Sequence, residues 1–292
     1  MNPVVLYFAS GESLYPGAAT LLVAIAVSPL LERRWLLRLR NVSAWLALIM
    51  IVMACPPFSW SVDVVFLSAF LFWYSVVNLS PLRKARGLTS AILATLLIIL
   101  PGLELQHRSL PQVTGAPTDH LVVIGDSISA GIDPRVSTWP AVIEETFGVP
   151  VKNLSSVGAF TTDGLRMAPK VAPEDRVILI EIGGNDLIAG APSNEFASSL
   201  EALLKEVTAP GRTVVMFELP LMPDRIAYGQ VQRRLAEKYG VWLIPKRYFV
   251  SVISGANATS DGLHLLPEGA RRMAALVAQV LAPVLKPARP AA

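Results

Sequence analysis

The chain has little cysteine and little charge. Its single cysteine, Cys55, excludes a disulfide bond or a cysteine-based zinc site within one copy. Charged residues make up only 16% of the 292 residues and hydrophobic residues 53%, whereas an average soluble domain has about 25% charged residues. This composition excludes a disordered chain and an ordinary soluble globule. The segment Met1–Pro3 lacks the positive charge that begins a signal peptide, so we expect no cleaved leader.

The few charges are unevenly distributed along the chain. Seven basic and four acidic residues precede His107 and carry the whole net charge of +3, while the remainder is formally neutral. A domain that binds nucleic acid concentrates cations on its own surface, so we expect no nucleic-acid partner. The seven cations form two clusters, Glu32–Asn41 and Ser80–Gly87, between apolar runs. Clusters of this kind are typical of membrane topology.

Long apolar runs dominate the first third of the chain. They are Leu14–Leu31, Val42–Trp60, Val64–Leu79 and Leu88–Leu105. Each is close to the roughly 20 residues that a helix needs to cross a hydrocarbon core of about 30 Å, and none carries a charge near its middle. We therefore predict an all-α transmembrane region of about four helices in residues 1–105. Because transporters usually need a charged group inside the membrane, an anchor is favoured over transport.

The two basic clusters also predict how the chain is oriented. Basic connections between membrane helices face the cytoplasm. With four helices, everything after Leu105 then lies outside the cytoplasm. We predict a multi-pass protein of a bacterial-type cytoplasmic membrane with its second half on the extracytoplasmic (periplasmic) side. The predicted side depends on the number of helices, because the loss of one helix would place the second half in the cytoplasm.

The second half of the chain has the pattern of a separate domain. Residues 106–119 contain Pro111, Gly115 and Pro117 and are typical of a linker. In residues 120–286, short β-branched runs alternate with helical patterns, which favours a parallel sheet with helices on both faces. Residues 287–292 are a short tail. The predicted strands are Leu121–Ile124, Val151–Leu154, Val177–Ile182, Thr213–Phe217 and Val241–Ile244, and the predicted helices are Ala141–Phe147, Phe196–Val207, Ile226–Tyr239 and Pro267–Leu285.

Four short polar motifs follow these strands or precede the last helix. They are Gly125–Ser127, Asn153–Gly158, Gly183–Asp186 and Asp261–His264. Ligands of open parallel sheets bind beyond the carboxyl ends of the strands. We therefore expect the four motifs to meet on one rim of the sheet.

The residues in these motifs are those of nucleophilic catalysis. The Ser127 hydroxyl is a weak nucleophile that needs a base. His107 lies beside the membrane region and His120 begins the first strand, so His264 is the remaining candidate among three histidines. Asp261, three residues earlier, can face the same side as His264, fix its tautomer and stabilise the imidazolium.

Such a reaction also needs hydrogen-bond donors for the negative oxygen of its tetrahedral intermediate. The backbone N–H groups of Ser127 and Gly158 and the side-chain amide of Asn185 are the candidates. Losing one such donor typically lowers turnover by about 10²–10³.

Taken in order, the four motifs resemble the four blocks of the SGNH (GDSL-type) hydrolase family. Residues 120–284 are most similar to the branch that contains bacterial periplasmic thioesterase I, which is also a lysophospholipase, and the arylesterases. The likenesses are Val123–Gly131, Trp139-Pro140, Gly158 followed by Gly164-Leu165, and Glu181–Asp186. The resemblance covers little more than half of the chain.

The resemblance implies a fold and an activity. It implies an α/β fold, a flavodoxin-like α/β/α sandwich with a parallel sheet, that hydrolyses ester or thioester bonds and needs no metal or organic cofactor. It implies Ser127 as nucleophile, His264 as base and Asp261 as its partner, with Gly158 and Asn185 as oxyanion donors. The sequence departs from the branch at Leu265, where proline is frequent.

Simpler roles remain open for several of these residues. A Gly-Asp-Ser triplet is usually a turn in which Asp126 or Ser127 caps the next helix. Asn185 could be a helix cap rather than a donor, although the donor role is favoured. Asp126 and Asp186 more often support local structure than chemistry. The aromatic residues Trp139, Phe160 and Tyr228 are typical of packing, although Phe160 is close enough to Gly158 in sequence to line an acyl site.

Three functional hypotheses result. The leading one is a membrane-anchored serine hydrolase that acts on a small or lipid-like acyl ester or thioester. The second is an O-acetyl esterase or acetyltransferase that acts on envelope polysaccharide. The third is a catalytically idle membrane scaffold. The oligomeric state stays open in all three.

Overall fold

The computed structural model describes residues 2–79 and 84–286 of the chain. These residues form two compact units. One consists mainly of Tyr7–Ser109, together with the short segment Met222–Ile226. The other contains Leu110–Leu221, the residues that follow Ile226, and the start of the chain as far as Leu6. The predicted tail, 287–292, lies outside the described residues.

The first unit is helical. It contains the end of α1 (Pro3–Ala9), whose first residues belong to the other unit, and the helices α2 (Leu14–Val27), α3 (Arg34–Met53), α4 (Trp60–Asn78) and α5 (Arg86–Leu105). A single 3₁₀ turn, Ser28–Leu30, extends α2.

Side chains of the helical unit are apolar on the inside and on the outside. Leu21, Phe70, Trp73 and Leu93 are buried, and the Trp73 indole donates a hydrogen bond to the Ser90 hydroxyl at 3.2 Å. Many other large apolar side chains of the same helices are exposed, among them Val23, Leu46, Ile49, Leu71 and Ile98. Helices that are apolar all round are typical of a lipid environment.

Three of these helices are long and apolar enough to cross a membrane, namely α3, α4 and α5. A fourth span results if α1 and the helix Leu14–Leu30, which meet at a bend of 80°, are counted together. The prediction of about four helices therefore corresponds to three helices, or to four if this bent pair is one span.

The largest difference from the predicted bounds concerns the second apolar run, Val42–Trp60, because α3 begins at Arg34 and ends at Met53. Most of the expected basic turn Glu32–Asn41 therefore belongs to the start of a helix. Arg34 and Arg38 are exposed there, and long side chains of this kind can carry their charge to polar surroundings. In the second cluster, Arg86 begins α5, and residues 80–83 lie outside the described residues.

The second unit contains a five-stranded parallel sheet with the order β2-β1-β3-β4-β5. The strands are β1 (Leu121–Gly125), β2 (Val151–Asn153), β3 (Val177–Glu181), β4 (Thr213–Phe217) and β5 (Trp242–Ile244). The predicted α/β class with a parallel sheet is confirmed. The order reverses direction at β1, whose neighbours are β2 and β3, and such a switch point opens a crevice at the carboxyl ends of the strands.

Helices connect the strands and cover the sheet. They are α6 (Ser127–Ala130), α7 (Trp139–Phe147), α8 (Thr161–Met167), α9 (Gly184–Ala189), α10 (Ser193–Val207), α11 (Ile226–Tyr239), α12 (Lys246–Ile253) and α13 (Pro267–Leu281). Helices α7, α12 and α13 share one apolar core with β1, β3 and β4. Helix α8 packs on α10, and it does so closely at Gly164, where an added Cβ would lie 2.9 Å from Leu203. The short helices α6, α8, α9 and α12 were not predicted.

Candidate active site

The loop after β1 places Ser127 at the start of α6. Asp126 caps this helix, because its carboxylate accepts a hydrogen bond from the backbone N–H of Ile128 at 2.9 Å. The backbone N–H of Asp126 donates to the carbonyl of Glu181 at 3.1 Å, which fixes the turn to the end of β3. The Ser127 side chain is nearly buried, and its Oγ lies 3.0 Å from Nε2 of His264.

His264 is held by the loop that precedes α13. Its Nδ1 lies 2.6 Å from Oδ2 of Asp261. The other carboxylate oxygen, Oδ1, accepts hydrogen bonds from the backbone N–H groups of Leu263 and His264 at 3.0 and 2.9 Å. The chain reverses at Gly262, whose φ of 89° is in the left-handed region. Asp261 and His264 therefore face each other across a tight turn rather than along a helix.

The electrostatics of this pair determine which atoms carry protons. The hydrogen bond from His264, together with those from the backbone, lowers the pKa of Asp261 to about 2. An ionised carboxylate can only accept hydrogen bonds, so Nδ1 of His264 must donate to Asp261. In the neutral ring, Nε2 is then an acceptor and faces the hydroxyl of Ser127. The arrangement can take a proton from Ser127.

The loops after β2 and β3 bring Gly158 and Asn185 to the same edge. Asn185 lies inside the first turn of α9, whose cap is Gly183, and its Nδ2 donates to the carbonyl of Ala159 at 2.9 Å. Asn185 is therefore not a helix cap. Gly158 is exposed with a φ of 74°, and the neighbouring Ser156 N–H donates to the carbonyl of Gly125 at 3.2 Å. These bonds tie the loops after β1, β2 and β3 together.

Below Ser127 lies a buried polar chain that the sequence analysis missed. Glu181, the last residue of β3, is 5% exposed. Its Oε2 accepts a hydrogen bond from the Ser129 hydroxyl at 2.7 Å, and the Trp139 indole donates to that same hydroxyl at 3.1 Å. Burial and the nearby Asp126 raise the pKa of Glu181 well above its usual range. The available signal was a carboxylate at the end of an otherwise apolar strand.

Two further buried carboxylates support the loops. Burial raises the pKa of Asp126 to about 6, although its bond from Ile128 and the charge of His264 oppose this shift. Asp186 accepts hydrogen bonds from the backbone N–H and the hydroxyl of Thr161 at 2.8 and 3.0 Å. Asp186 therefore holds the start of α8 to the loop that carries Asn185.

A small cavity lies next to Ser127, and exposed apolar side chains occur in the segments that carry Gly158 and Asn185. Next to Ser127 and His264, a cavity of about 20 Å³ reaches towards Trp139. The segments that follow β2 and β3 expose three large apolar side chains, namely Val157, Phe160 and, in α9, Ile188. Trp139 and Tyr228 are buried, as expected of packing residues, whereas Phe160 is partly open to solvent.

The other two histidines lie elsewhere. His120 precedes β1 at the opposite end of the sheet, where its ring nitrogens contact Asp119 at 3.0 Å and Asp175 at 2.9 Å. His107 follows α5 in the helical unit. Among residues 2–79 and 84–286, no group of three or more histidine, cysteine or acidic side chains is arranged to hold a metal ion.

Comparison with known proteins identifies the family. A family model described as GDSL-like Lipase/Acylhydrolase matches residues 123–272. The chain belongs to this family. The matched span contains Ser127, Gly158, Asn185, Asp261 and His264, and the resemblance stated from the sequence is confirmed.

This part of the chain aligns with most of the length of several known proteins. An arylesterase of Vibrio mimicus is 31% identical over 180 residues, which are 56% of this chain and 88% of the relative. Thioesterase 1/protease 1/lysophospholipase L1 of Escherichia coli strain K12 is 26% identical over 159 residues, 51% of this chain and 76% of the relative. The crystal structure of TesA covers 57% of this chain and 99% of its own, with 27% identity and a TM-score of 0.49.

The raised pKa of Asp126 predicts a pH-dependent cost to stability. A carboxyl whose pKa is 3.8 in the unfolded chain and about 6 in the folded protein stabilises the fold fully below about pH 4. That contribution is lost as the pH rises through 6. Asp126→Asn keeps an acceptor for Ile128 but carries no charge. We therefore expect the variant to be more stable than the parent at pH 8, by about 1–3 kcal/mol, and the gain to vanish at pH 4.

Thermal unfolding of the full chain in detergent at both pH values measures this effect. Asp133→Asn is the control, because its exposed carboxylate pairs with Arg135 and has a pKa lowered to about 2; it should give no gain at pH 8. An Asp126→Asn gain that is equal at pH 4 and pH 8 would contradict the assignment.

Proposed function

We propose that this protein is a membrane-anchored serine hydrolase that cleaves carboxylic ester or thioester bonds. The observation that carries the proposal is the continuous hydrogen-bonded series from the Ser127 hydroxyl through His264 to Asp261, found in a chain of the GDSL-like family. The domain division is part of the proposal: an anchor in residues 1–105, a linker in 106–119, the hydrolase domain in 120–286 and a tail in 287–292.

In the proposed reaction, the Ser127 oxygen attacks the carbonyl carbon of the substrate while Nε2 of His264 takes the hydroxyl proton. Asp261 stabilises the imidazolium that forms. The tetrahedral intermediate then expels the alcohol or thiol, which receives the proton from His264. Water, deprotonated by the same ring nitrogen, hydrolyses the acyl-enzyme and returns Ser127 to its starting state.

Ser127 is the residue whose loss tests catalysis directly. We expect Ser127→Ala to lower ester hydrolysis by at least about 10³-fold and to abolish labelling by a fluorophosphonate probe. Ser198→Ala, which removes an exposed hydroxyl from α10, should leave both unchanged. Equal activity of the parent and Ser127→Ala would favour the idle-scaffold hypothesis instead.

Two observations favour different acyl groups for the substrate. Val157, Phe160 and Ile188 are exposed, and each is within three residues of Gly158 or Asn185 in sequence, which favours a lipid-like acyl chain. The cavity of about 20 Å³ next to Ser127 holds little more than a water-sized group, which favours the O-acetyl esterase hypothesis. We propose the longer acyl chains, because these exposed apolar side chains come from the segments that carry Gly158 and Asn185.

A series of p-nitrophenyl esters and acyl thioesters of rising chain length, hydrolysed by the full chain in detergent, separates these two alternatives. We expect kcat/KM to rise from acetyl to medium chains in the parent. A strong preference for acetyl would support action on envelope polysaccharide.

Asn185 is proposed as an oxyanion donor. Its Nδ2 uses one N–H on the Ala159 carbonyl, which orients the amide and leaves the second N–H to donate to substrate. The Ser127 and Gly158 backbone N–H groups are proposed as its companions. The bond to Ala159 fixes the Asn185 amide before substrate arrives, so this donor loses little freedom as negative charge develops.

We expect Asn185→Ala to lower kcat by about 10²–10³ with little change in KM, because the lost bond strengthens only in the transition state. Steady-state kinetics on a soluble ester gives both constants. Asn194→Ala on the exposed face of α10 is the matched control. A rise in KM with kcat intact would instead assign Asn185 to ground-state binding.

The charges at the helix ends support the proposed orientation. Arg34, Arg38 and Arg40 lie at the start of α3, and Lys84 and Arg86 lie at the start of α5. If these basic ends face the cytoplasm, α5 runs outward and the hydrolase domain follows it on the extracytoplasmic side. This orientation does not require α1 and α2 to form a span.

Reporter fusions test the orientation. Alkaline phosphatase fused after the last residue should be active, and green fluorescent protein at the same place should be dark. Fusions after Lys84 should give the opposite pattern and serve as the control. An active phosphatase after Lys84 would reverse the proposed topology.

A further inference from the structure

The helical unit contains an apolar groove with a cation in its wall. The groove lies between the second half of α2 and the first half of α3 and has a volume of about 470 Å³. Ala19, Val23, Val27 and Leu39 are among its apolar lining residues, and Arg40 also lines it. From Ala19 to Val27 the groove follows eight residues of helix, or about 12 Å.

Arg40 is buried without a carboxylate partner. It is 5% exposed, and its Nε and Nη2 donate to Oδ1 of Asn41 at 3.1 and 2.7 Å. Nη2 also donates to Oδ1 of Asn78 at 2.9 Å. Within residues 2–79 and 84–286, neither N–H of Nη1 has an acceptor and no acidic side chain pairs with Arg40. A guanidinium keeps its charge when it is buried, so this one lacks a counter-ion.

A second guanidinium adds to the positive charge at this end of the unit. Arg86 donates to the carbonyls of Val76 and Val77 at 3.4 and 3.1 Å, next to Asn78, which holds Arg40. In the described part of the chain Arg86 has no acidic partner either. Neutral amide and carbonyl oxygens satisfy the hydrogen bonds of the buried Arg40 and the half-buried Arg86 but leave both charges uncompensated, whereas buried charges in proteins are as a rule paired. An anion in the groove would complement the charge of Arg40.

We propose that the groove between α2 and α3 binds one anionic phospholipid, with an acyl chain along the apolar wall and the phosphate on Nη1 of Arg40. A basic pocket between membrane helices is suited to such headgroups, and the apolar wall has no role in binding free phosphate. This inference rests on the membrane embedding in the proposed function and not on the catalytic residues.

The full chain, purified in detergent, tests the proposal by native mass spectrometry. It is incubated with phosphatidylglycerol or with phosphatidylcholine of identical acyl chains. We expect phosphatidylglycerol to be retained about tenfold more tightly, because the headgroup gains a charge-assisted hydrogen bond. Inorganic phosphate in excess should not displace it. Arg40→Gln should abolish the preference, and Ala19→Leu, which adds bulk to the groove, should weaken retention of both lipids.

The matched control is Arg38→Gln, which removes the same charge from an exposed position on the same helix and should keep the preference. Three results would overturn the proposal: equal retention of both lipids by the parent, an equal loss of the phosphatidylglycerol preference in Arg38→Gln and Arg40→Gln, or displacement of the lipid by phosphate alone.

If Arg40→Gln does not elute as a folded species, Arg40→Lys replaces it, and we expect a preference between those of the parent and of a variant without the charge. Hydrolysis of a soluble ester should be unchanged in these variants, and resistance to carbonate extraction checks membrane insertion separately.

Discussion

The hydrogen bond between the Ser127 hydroxyl and Nε2 of His264 joins groups that are 137 positions apart in the chain. Each partner is positioned independently. The end of β1, tied to β3 through the Asp126 N–H, fixes the serine. The turn around Gly262, with three hydrogen bonds onto Asp261, fixes the imidazole. Because the imidazole reaches the hydroxyl only when both supports are intact, the proposed reaction depends on both the sheet and the entry to α13.

The buried carboxyls next to Ser127 impose a constraint of their own. Burial, with the nearby charge of Asp126, raises the pKa of Glu181, and burial, with the nearby charge of Asp186, raises the pKa of Asp126. Glu181 accepts a hydrogen bond from the Ser129 hydroxyl, which itself accepts one from the Trp139 indole, and this series links the end of β3 to the start of α7. Because Asp126 caps α6 beside Ser127, its raised pKa makes the stability of this loop depend on pH.

Much of this architecture could be predicted from the sequence, for identifiable physical reasons. Buried parallel strands need apolar β-branched runs, so all five strands were visible, and chemistry gathers at their carboxyl ends. With only three histidines, elimination led to His264, and the structure brings it to Ser127. Glu181 could not be assigned because its neighbours, Ser129 and Trp139, meet it only after folding. The start of α3 was misplaced because counting apolar residues ends a helix at arginine, although its long side chain lets the helix continue.

The corrected start of α3 also changes the argument about orientation. With the basic residues in a loop, the side on which the hydrolase domain lies depended on whether four spans exist. With Arg34, Arg38 and Arg40 inside the first turns of α3 and Arg86 at the start of α5, two of the three long helices begin at a basic end. Helix α4 connects them by running the other way. Under the proposed orientation, an odd or even number of spans before α3 then changes only the expected side of the N-terminus, because the side proposed for the domain after α5 follows from the charges at the start of α5.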